Sequence, residues 1–135
     1  MNDYLRYGHA KTRLRYHLIF STKYRRKCLL GTEQQVYAAM RAAEQVSHFT
    51  IVEMAVDLGD HIHLVVEVKP SLSLEQVVRR LKQLSTWELW ATESNHLKKY
   101  YWGSQKLLWT HGYFASTIGA VSDQVVLEYV KKQAK

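Results

Sequence analysis

Cysteine, proline and long apolar runs are scarce in this sequence. Cys28 is the one cysteine in 135 residues, and it cannot close an internal disulfide, so nothing favours an oxidising compartment. No early apolar run resembles a signal peptide, and every apolar stretch is far shorter than the about 20 residues that span a bilayer. We therefore expect a cytoplasmic protein with no membrane partner. Cys28 has basic neighbours but no nearby histidine, which predicts a semi-buried structural residue.

Acidic residues are also few relative to basic ones. The chain has 19 Lys and Arg against 12 Asp and Glu, which gives a formal net charge of +7 and a pI near 9.5. The basic residues form short clusters, interleaved with four Trp, nine Tyr and three Phe. This combination favours a polyanion partner, usually a nucleic acid. The alternative is an ordinary solvated basic surface.

No linker or low-complexity segment divides the chain. With 47% hydrophobic residues, 135 residues suffice for one globular domain, 1–135, and are too few for two. Residues 1–12 are polar and patternless, so we expect a loose N-terminal arm there.

Strands are predicted where apolar residues alternate or run together. Alternation over 13–22 predicts a first strand. Two apolar segments, 49–57 and 61–68, flank the turn signal Leu58-Gly59-Asp60 and predict a β-hairpin. Aromatic and β-branched residues over 112–117 predict a fourth strand.

Helices are predicted where apolar residues recur every three or four positions. Capping-box patterns at Thr32/Gln35 and Ser73/Gln76 begin the first two helices, which end near residues 47 and 91. Ser122 is the expected N-cap of a third helix over 123–132. The order β-α-β-β-α-β-α is that of an α+β, ferredoxin-like or RRM-like antiparallel sheet with helices on one face, plus a C-terminal helix.

Two histidines, His61 and His63, lie one residue apart in the third predicted strand. Alternate side chains of a strand share a face, so the two imidazoles point the same way while Ile62 points the other way. Neutral imidazoles can bind a divalent cation when a third ligand completes the site. The alternative is a pair of ordinary, hydrogen-bonded structural histidines.

Tyr129 and Gln133 lie four residues apart on the last predicted helix, so they share one face. A phenol is a poor nucleophile at neutral pH unless a cation or a base assists it. The amide oxygen of Gln133 suits Mg²⁺ or Mn²⁺ beside two imidazoles. Asp60 and His111 are candidates to support the ligands, and the remaining histidines are expected to be structural: His9, His17, His48 and His96.

Four ordered segments resemble the signatures of a known family. They are 16–26 (YHLIFSTKYRR), 59–64 (GDHIHL), 112–119 (GYFASTIG) and 129–133 (YVKKQ). Together they look like those of the single-tyrosine HUH transposases, the TnpA enzymes of small bacterial and archaeal insertion sequences and their REP-associated relatives. The resemblance covers about residues 13–133.

The resemblance implies roles for particular residues. His61, His63 and Gln133 would bind one divalent metal, and Tyr129 would attack single-stranded DNA to form a 5′-phosphotyrosine intermediate. It also implies recognition of a DNA hairpin and a homodimer whose sheets join, with each active site shared between subunits. The basic and aromatic residues expected to contact DNA are Lys23, Tyr24, Arg25, Arg26, Lys27, Arg79, Arg80 and Lys82.

Two other functions fit part of the pattern. An RRM-like module would bind nucleic acid without catalysis, although such sheets carry stacking aromatics where this chain has His61 and His63. A replication-initiator or relaxase-type HUH nuclease would use the same chemistry for another outcome.

Overall fold

A four-stranded antiparallel sheet forms the centre of the chain. The computed structural model describes residues 5–7, 10–12, 14–118 and 123–133. The sheet has the strand order β4-β5-β3-β6, and β1 and β2 form a separate two-stranded sheet. The described elements are β1 (Leu5–Tyr7), β2 (Ala10–Thr12), β3 (Leu14–Ser21), α1 (Glu33–Gln45), β4 (Phe49–Asp57), β5 (His61–Val68), α2 (Leu74–Thr92), α3 (Ser94–Leu97), β6 (Phe114–Ile118) and α4 (Asp123–Gln133).

The predicted ferredoxin-like arrangement is confirmed. Strands β3 and β5 are central, β4 and β6 are the edges, and each predicted strand and helix lies within a few residues of its expected bounds. The short helix α3 was not predicted. The loose arm expected over 1–12 is wrong where the structure describes it, because β1 and β2 pair antiparallel there, with Arg6 opposite Lys11. Hydrogen bonds between backbone groups hold such a pair of strands together, so the pairing cannot be predicted from a pattern of apolar side chains. His9 and the predicted N-cap Ser122 lie outside the described residues.

One face of the sheet packs against α1 and α2. In β3 and β5 the even-numbered side chains point to this face, and Leu18, Phe20, Ile62 and Leu64 are fully buried there. The apolar stripes of both helices, including Val36 and Leu81, cover them. Full burial of such a side chain contributes about 1.5–3 kcal/mol, so this layer supplies most of the hydrophobic stabilisation.

The two predicted capping boxes behave differently. At the start of α2 the Ser73 hydroxyl accepts from the Gln76 backbone N–H at 3.1 Å, and the Gln76 side chain accepts from the Ser73 N–H at 2.9 Å, as predicted. The box predicted at Thr32 is wrong. The Thr32 hydroxyl donates instead to the carbonyl oxygens of Cys28 and Leu29, 3.2 and 3.3 Å away, because the preceding turn places those carbonyls within reach.

The β4–β5 hairpin depends on Gly59. Leu58 and Gly59 both have positive φ, +57° and +74°, and a Cβ on Gly59 would lie 2.4 Å from Cγ of Leu30. Glycine satisfies both constraints because it has no side chain. The Gly59 carbonyl also accepts from the Leu29 N–H at 3.0 Å. The hairpin is therefore fixed against the turn that precedes α1.

Helix α4 packs on the opposite face of the sheet, over β4 and β5. Val130 is fully buried against Ala55 and Val65, with Val52, Leu127 and Ile118 partly buried around them. This is the face that carries the odd-numbered residues of β5, including both histidines. The sheet therefore has a helical layer on each face, and α4 lies next to the histidine pair.

Candidate metal centre and nucleophile

His61 and His63 point to the face of β5 that α4 covers, and their ring centroids are 5.2 Å apart. Each pairs across the hairpin with a residue of β4, His61 with Asp57 and His63 with Ala55. His63 is 3% exposed, and His61 is half-buried. The shared face predicted from their spacing is therefore present in the fold.

Asp57 completes a cluster with the two histidines. Its Oδ2 lies 3.1 Å from His61 Nε2 and 3.6 Å from His63 Nε2, and one ligand atom from each of the three residues lies within 4.8 Å of the others. Sequence reasoning missed Asp57. The signal was available, because a hairpin with a three-residue turn at 58–60 pairs position 57 with position 61, and paired residues share a face.

Asp60 supports His61 from the turn. Its Oδ1 lies 2.8 Å from His61 Nδ1, and its Oδ2 lies 3.4 Å from Nε of Arg25. Burial acts to raise the pKa of Asp60, but the hydrogen bond from His61 and the charge of Arg25 outweigh it and hold the pKa below its ordinary value. Asp60 is thus an ionised carboxylate that orients the ring of His61, the arrangement commonly found behind metal-bound histidines.

His17 contacts His63 from the neighbouring strand. The rings stack with centroids 5.2 Å apart and planes 20° apart, and His17 Nε2 lies 3.0 Å from His63 Nδ1. Burial, with the nearby His17 and His61, lowers the pKa of His63 to about 4 against the opposing effect of Asp57, and burial also lowers the pKa of His17. His63 is therefore a neutral imidazole near pH 7, the form that binds metals.

Among the described residues, one fully buried ring nitrogen at this site lacks a hydrogen-bond partner. Nε2 of His63 is buried without a partner, although it faces Asp57. A buried polar atom without a partner costs about 1–3 kcal/mol, so a cation at Nε2 would relieve an existing cost. The two Nε2 atoms converge on one carboxylate oxygen, which is a donor set that divalent cations accept. The residues present therefore fit a divalent metal.

Helix α4 brings Tyr129 and Gln133 to this cluster. The Tyr129 ring centroid lies 5.6 Å from that of His63 in an edge-to-face arrangement, and the tyrosine is 48% exposed. The side-chain amide of Gln133 faces Asp57, and its nitrogen, assigned to this side because both partners are carboxylate oxygens, lies 2.8 and 3.0 Å from the two oxygens. Both residues reach the site from the same chain that supplies the histidines, and burial of Val130 between them holds α4 in place.

The basic segment after β3 lies beside the turn that carries Asp60. Tyr24 and Arg25 both have positive φ, 60° and 53°, and Tyr24 is 65% exposed. The guanidinium of Arg26 lies 5.1 Å from the Tyr24 ring and 4.5 Å from the Trp102 ring, and it donates to the Tyr100 carbonyl. Non-glycine residues with positive φ are strained and occur often at functional sites. Lys23 is half-buried, and Lys27 is exposed.

The three DNA-binding candidates on α2 separate into two kinds. Arg79 and Arg80 are exposed, and Arg79 forms a loose ion pair with Glu75 at 3.8 Å. Lys82 is half-buried, and its ammonium group donates to three carbonyl oxygens, those of Thr110, His111 and Gly112 at 2.7, 3.0 and 2.8 Å. Burial lowers the pKa of Lys82. An ammonium group with all three protons engaged holds the 110–112 segment and has no donor left for a phosphate.

The remaining candidates lie away from the histidine cluster. His111 is exposed, and its backbone carbonyl accepts from Lys82. Trp87 is 67% exposed and lines a cleft of about 430 Å³ with Lys106 and Trp109. Cys28 is buried, as a structural residue should be, and burial raises the pKa of its thiol. No described helix is long and apolar enough to cross a membrane.

A ferredoxin-like sheet with a His-hydrophobic-His strand beside a helix carrying tyrosine and glutamine defines the class of single-tyrosine HUH transposases. The family model described as "Transposase IS200 like" matches residues 10–133, and the chain belongs to this family of DNA-processing enzymes. The sequence-based identification is therefore confirmed.

Relatives and solved structures agree with this assignment. The chain is 28% identical over 134 residues to the transposase for insertion sequence element IS200 of Salmonella typhimurium, covering 98% of this chain and 85% of that protein. It is 26% identical over 121 residues to the ISDra2 transposase TnpA of Deinococcus radiodurans, covering 89% and 84%. A solved Deinococcus radiodurans R1 protein described as a transposase has a TM-score of 0.73 at 25% identity, covering 96% of both chains. A REP-associated tyrosine transposase bound to a REP hairpin shares the fold, with a TM-score of 0.62 at 17% identity, covering 96% of this chain and 70% of that one.

Proposed function

We propose that this transposase cleaves and rejoins single-stranded DNA at insertion-sequence ends through a 5′-phosphotyrosine intermediate on Tyr129. The observation that carries the proposal is the position of α4, which places Tyr129 against His63 and Gln133 against Asp57. A half-exposed phenol beside a cluster of metal-ligating groups is open to a phosphodiester from solvent. The same helix supplies the nucleophile and a ligand, so both enter the site together.

His61, His63 and Gln133 are the proposed ligands, with the Asp57 carboxylate as an additional one. Mg²⁺ or Mn²⁺ bound there would supply a Lewis acid that polarises the scissile phosphate and offsets the charge developing on it. Asp60 accepts from Nδ1–H of His61, which leaves Nε2 of His61, 3.1 Å from Asp57 Oδ2, as the nitrogen that would bind the metal. Rotation of Gln133 about its last bond would turn its amide oxygen toward the cluster in place of the nitrogen.

Tyr129 then attacks the phosphorus. The phenolic oxygen forms a new P–O bond, the bond to the 3′-oxygen breaks, and the phenolic proton passes to solvent while the 3′-oxygen gains a proton. The product is a 5′-phosphotyrosine and a free 3′-hydroxyl. A second 3′-hydroxyl can reverse the step, because the phosphotyrosine link keeps the energy of the original phosphodiester. Cleavage and rejoining therefore need no nucleotide cofactor.

The DNA is proposed to be a hairpin with flanking single strand. Support comes from the basic segment 23–27, which adjoins the metal-ligating cluster through the Arg25–Asp60 ion pair, and from Tyr24 and Trp102, which are exposed for stacking on unpaired bases. The REP-associated relative that shares the fold was solved with a REP hairpin bound. Arg79 and Arg80 extend the basic surface along α2.

A homodimer is proposed through the β6 edge of the sheet. In the described part of the chain β6 pairs with β3 alone, and Phe114 on it is 53% exposed. An edge strand with unpaired backbone groups and an exposed aromatic side chain is a ready surface for pairing with a second sheet. Light scattering should give a dimer mass for wild type and a monomer mass for Phe114→Asp. Because α4 reaches the histidines of its own chain here, an active site shared between subunits would require the dimer to exchange this helix. A wild-type monomer that still cleaves DNA would refute the dimer and with it the shared site.

The RRM-like alternative is less well supported. An RRM binds RNA on an open sheet face through aromatic residues of its central strands. Here α4 covers part of that face, and the central strand β5 presents His61 and His63.

The nucleophile can be tested with a labelled single-stranded hairpin oligonucleotide of an element end and Mg²⁺ or Mn²⁺. Wild type should form a covalent protein–DNA product that persists on a denaturing gel, and Tyr129→Phe should form none. Tyr113→Phe is the matched control, since Tyr113 is similarly exposed at 42% but lies on another segment, and it should react as wild type does. Equal product from Tyr129→Phe and wild type would refute the assignment.

A further inference from the structure

His17 was expected from its sequence context to be an ordinary structural histidine. We infer that it is a positioning residue for the metal centre, which fixes the tautomer and the ring orientation of His63. The inference rests on the proposed function, because it assigns His63 as a metal ligand.

The contact between the two histidines is direct and constrained. Ile19 of β3 is paired with His63, and His17 with Val65, so the His17 side chain lies beside that of His63 on the same sheet face. The rings stack with planes 20° apart, and the His17 ring also forms an edge-to-face contact, at 6.1 Å between centroids, with Phe114 from the strand on the other side of β3. With one neighbour on each side, the His17 ring has little freedom to turn away.

The 3.0 Å separation between His17 Nε2 and His63 Nδ1 requires one proton between the two nitrogens. If His63 is to bind a cation through Nε2, that atom must keep a free lone pair, so its proton must sit on Nδ1. His63 Nδ1–H then donates to His17 Nε2, and His17 carries its own proton on Nδ1. In the opposite arrangement His17 donates, and His63 keeps a proton on Nε2, where it blocks the metal.

The two ligand histidines are therefore held by different partners. His61 Nδ1 is held by the carboxylate of Asp60 from the hairpin turn, and His63 Nδ1 by a second imidazole from the adjacent strand. A hydrogen-bond acceptor behind a metal-bound imidazole fixes its tautomer, and its loss weakens metal affinity by about 10–100-fold. His17 supplies that acceptor for the more deeply buried of the two ligands.

Two variants separate hydrogen bonding from packing. His17→Phe keeps an aromatic ring between His63 and Phe114 but has no acceptor. His17→Gln places an amide oxygen at about the reach of Nε2. Mn²⁺ affinity, measured by electron paramagnetic resonance without DNA, should fall about 10–100-fold in His17→Phe and recover most of that loss in His17→Gln. Thermal stability and metal-free hairpin binding should be similar in all three proteins.

Long-range ¹H–¹⁵N NMR of wild type gives a second readout, because it reports which nitrogen of each neutral imidazole carries the proton. We expect His63 protonated at Nδ1 when Mg²⁺ is bound. Protonation of His63 at Nε2 under those conditions would overturn the inference. So would wild-type Mn²⁺ affinity in His17→Phe, or equal weakness of the Phe and Gln variants. A wild-type protein that binds neither ion would instead refute the proposed metal site itself.

Discussion

Docking of α4 on the sheet should depend on Val130, and Val130→Ala tests this directly. Val130 is fully buried. It follows Tyr129 directly in the last turns of α4 and precedes Gln133 by three residues. An isolated 11-residue helix is marginal in water, so α4 holds its shape through this contact with β4 and β5. Loosening the contact should release Tyr129 and Gln133 from the histidine cluster together.

The size of the effect follows from the buried area that is lost. The substitution removes two methyl groups at about 0.8 kcal/mol each, and the cavity left against Ala55 and Val65 adds to this, for a total of about 2 kcal/mol. That free energy corresponds to a roughly 30-fold change in the docking equilibrium. The main core on the other face of the sheet is untouched, so global unfolding should change little.

Hydrogen exchange measures the effect without reference to activity. Amides of α4 should exchange roughly 30-fold faster in Val130→Ala, while those of β5 keep their protection. Covalent product formation on hairpin DNA should also fall. Lys132→Ala is the matched control, because Lys132 is exposed on the same helix and should change neither measurement. Unchanged exchange of the α4 amides in Val130→Ala would refute this account of how the helix is held.

Three further substitutions test other parts of the structure. Asp57→Asn keeps the shape of the side chain but removes its charge, so Mn²⁺ affinity measured by electron paramagnetic resonance should fall at least about tenfold. If Asp57→Asn binds Mn²⁺ as tightly as wild type does, Asp57 is not a ligand. Gly59→Ala should lower the free energy of unfolding by about 1–3 kcal/mol in thermal denaturation, because φ is positive and Leu30 occupies the space of a Cβ. Gly31→Ala is the control: its φ is also positive, at +79°, but no atom lies within 4 Å of the added Cβ, so the loss of stability should be smaller. Lys82→Met should destabilise the fold by about 1–3 kcal/mol and leave the salt dependence of hairpin binding unchanged. Arg80→Ala should instead reduce the slope of log affinity against log salt concentration by about 1. A reduced slope in Lys82→Met would show that Lys82 contacts DNA.

Much of the fold could be predicted because the apolar periodicity is strong and uninterrupted. Alternation in β5 correctly assigns Ile62 and Leu64 to the core and the histidines to the other face. The N-terminal strands were missed, because their short ladder is not accompanied by an apolar pattern. The role of Thr32 was misjudged for a related reason: a hydroxyl can bond backward to a preceding turn as well as forward into a helix, and the sequence does not distinguish the two.

The candidate metal centre could be predicted only where its residues are neighbours in the sequence. His61 and His63 are linked by strand alternation, and Tyr129 and Gln133 by helical spacing. Asp57 joins the cluster through hairpin register, and His17 through the order of strands in the sheet, so both require tertiary structure. Lys82 was wrongly predicted to be available to DNA for the same reason. Its ammonium group donates to the carbonyls of residues 110–112, which only the tertiary structure brings beside it.

The alternation along β5 separates two kinds of genetic damage. Loss of Ile62 or Leu64 removes core volume and so reduces the amount of folded protein, whereas loss of His61 or His63 removes a chemical group from a chain whose core is intact. A copy of the gene that loses one of these imidazoles would therefore still encode a folded protein with the basic surface of segment 23–27. Under the proposed function, such a protein would bind hairpin DNA without cleaving it, so binding and cleavage would be lost through different mutations.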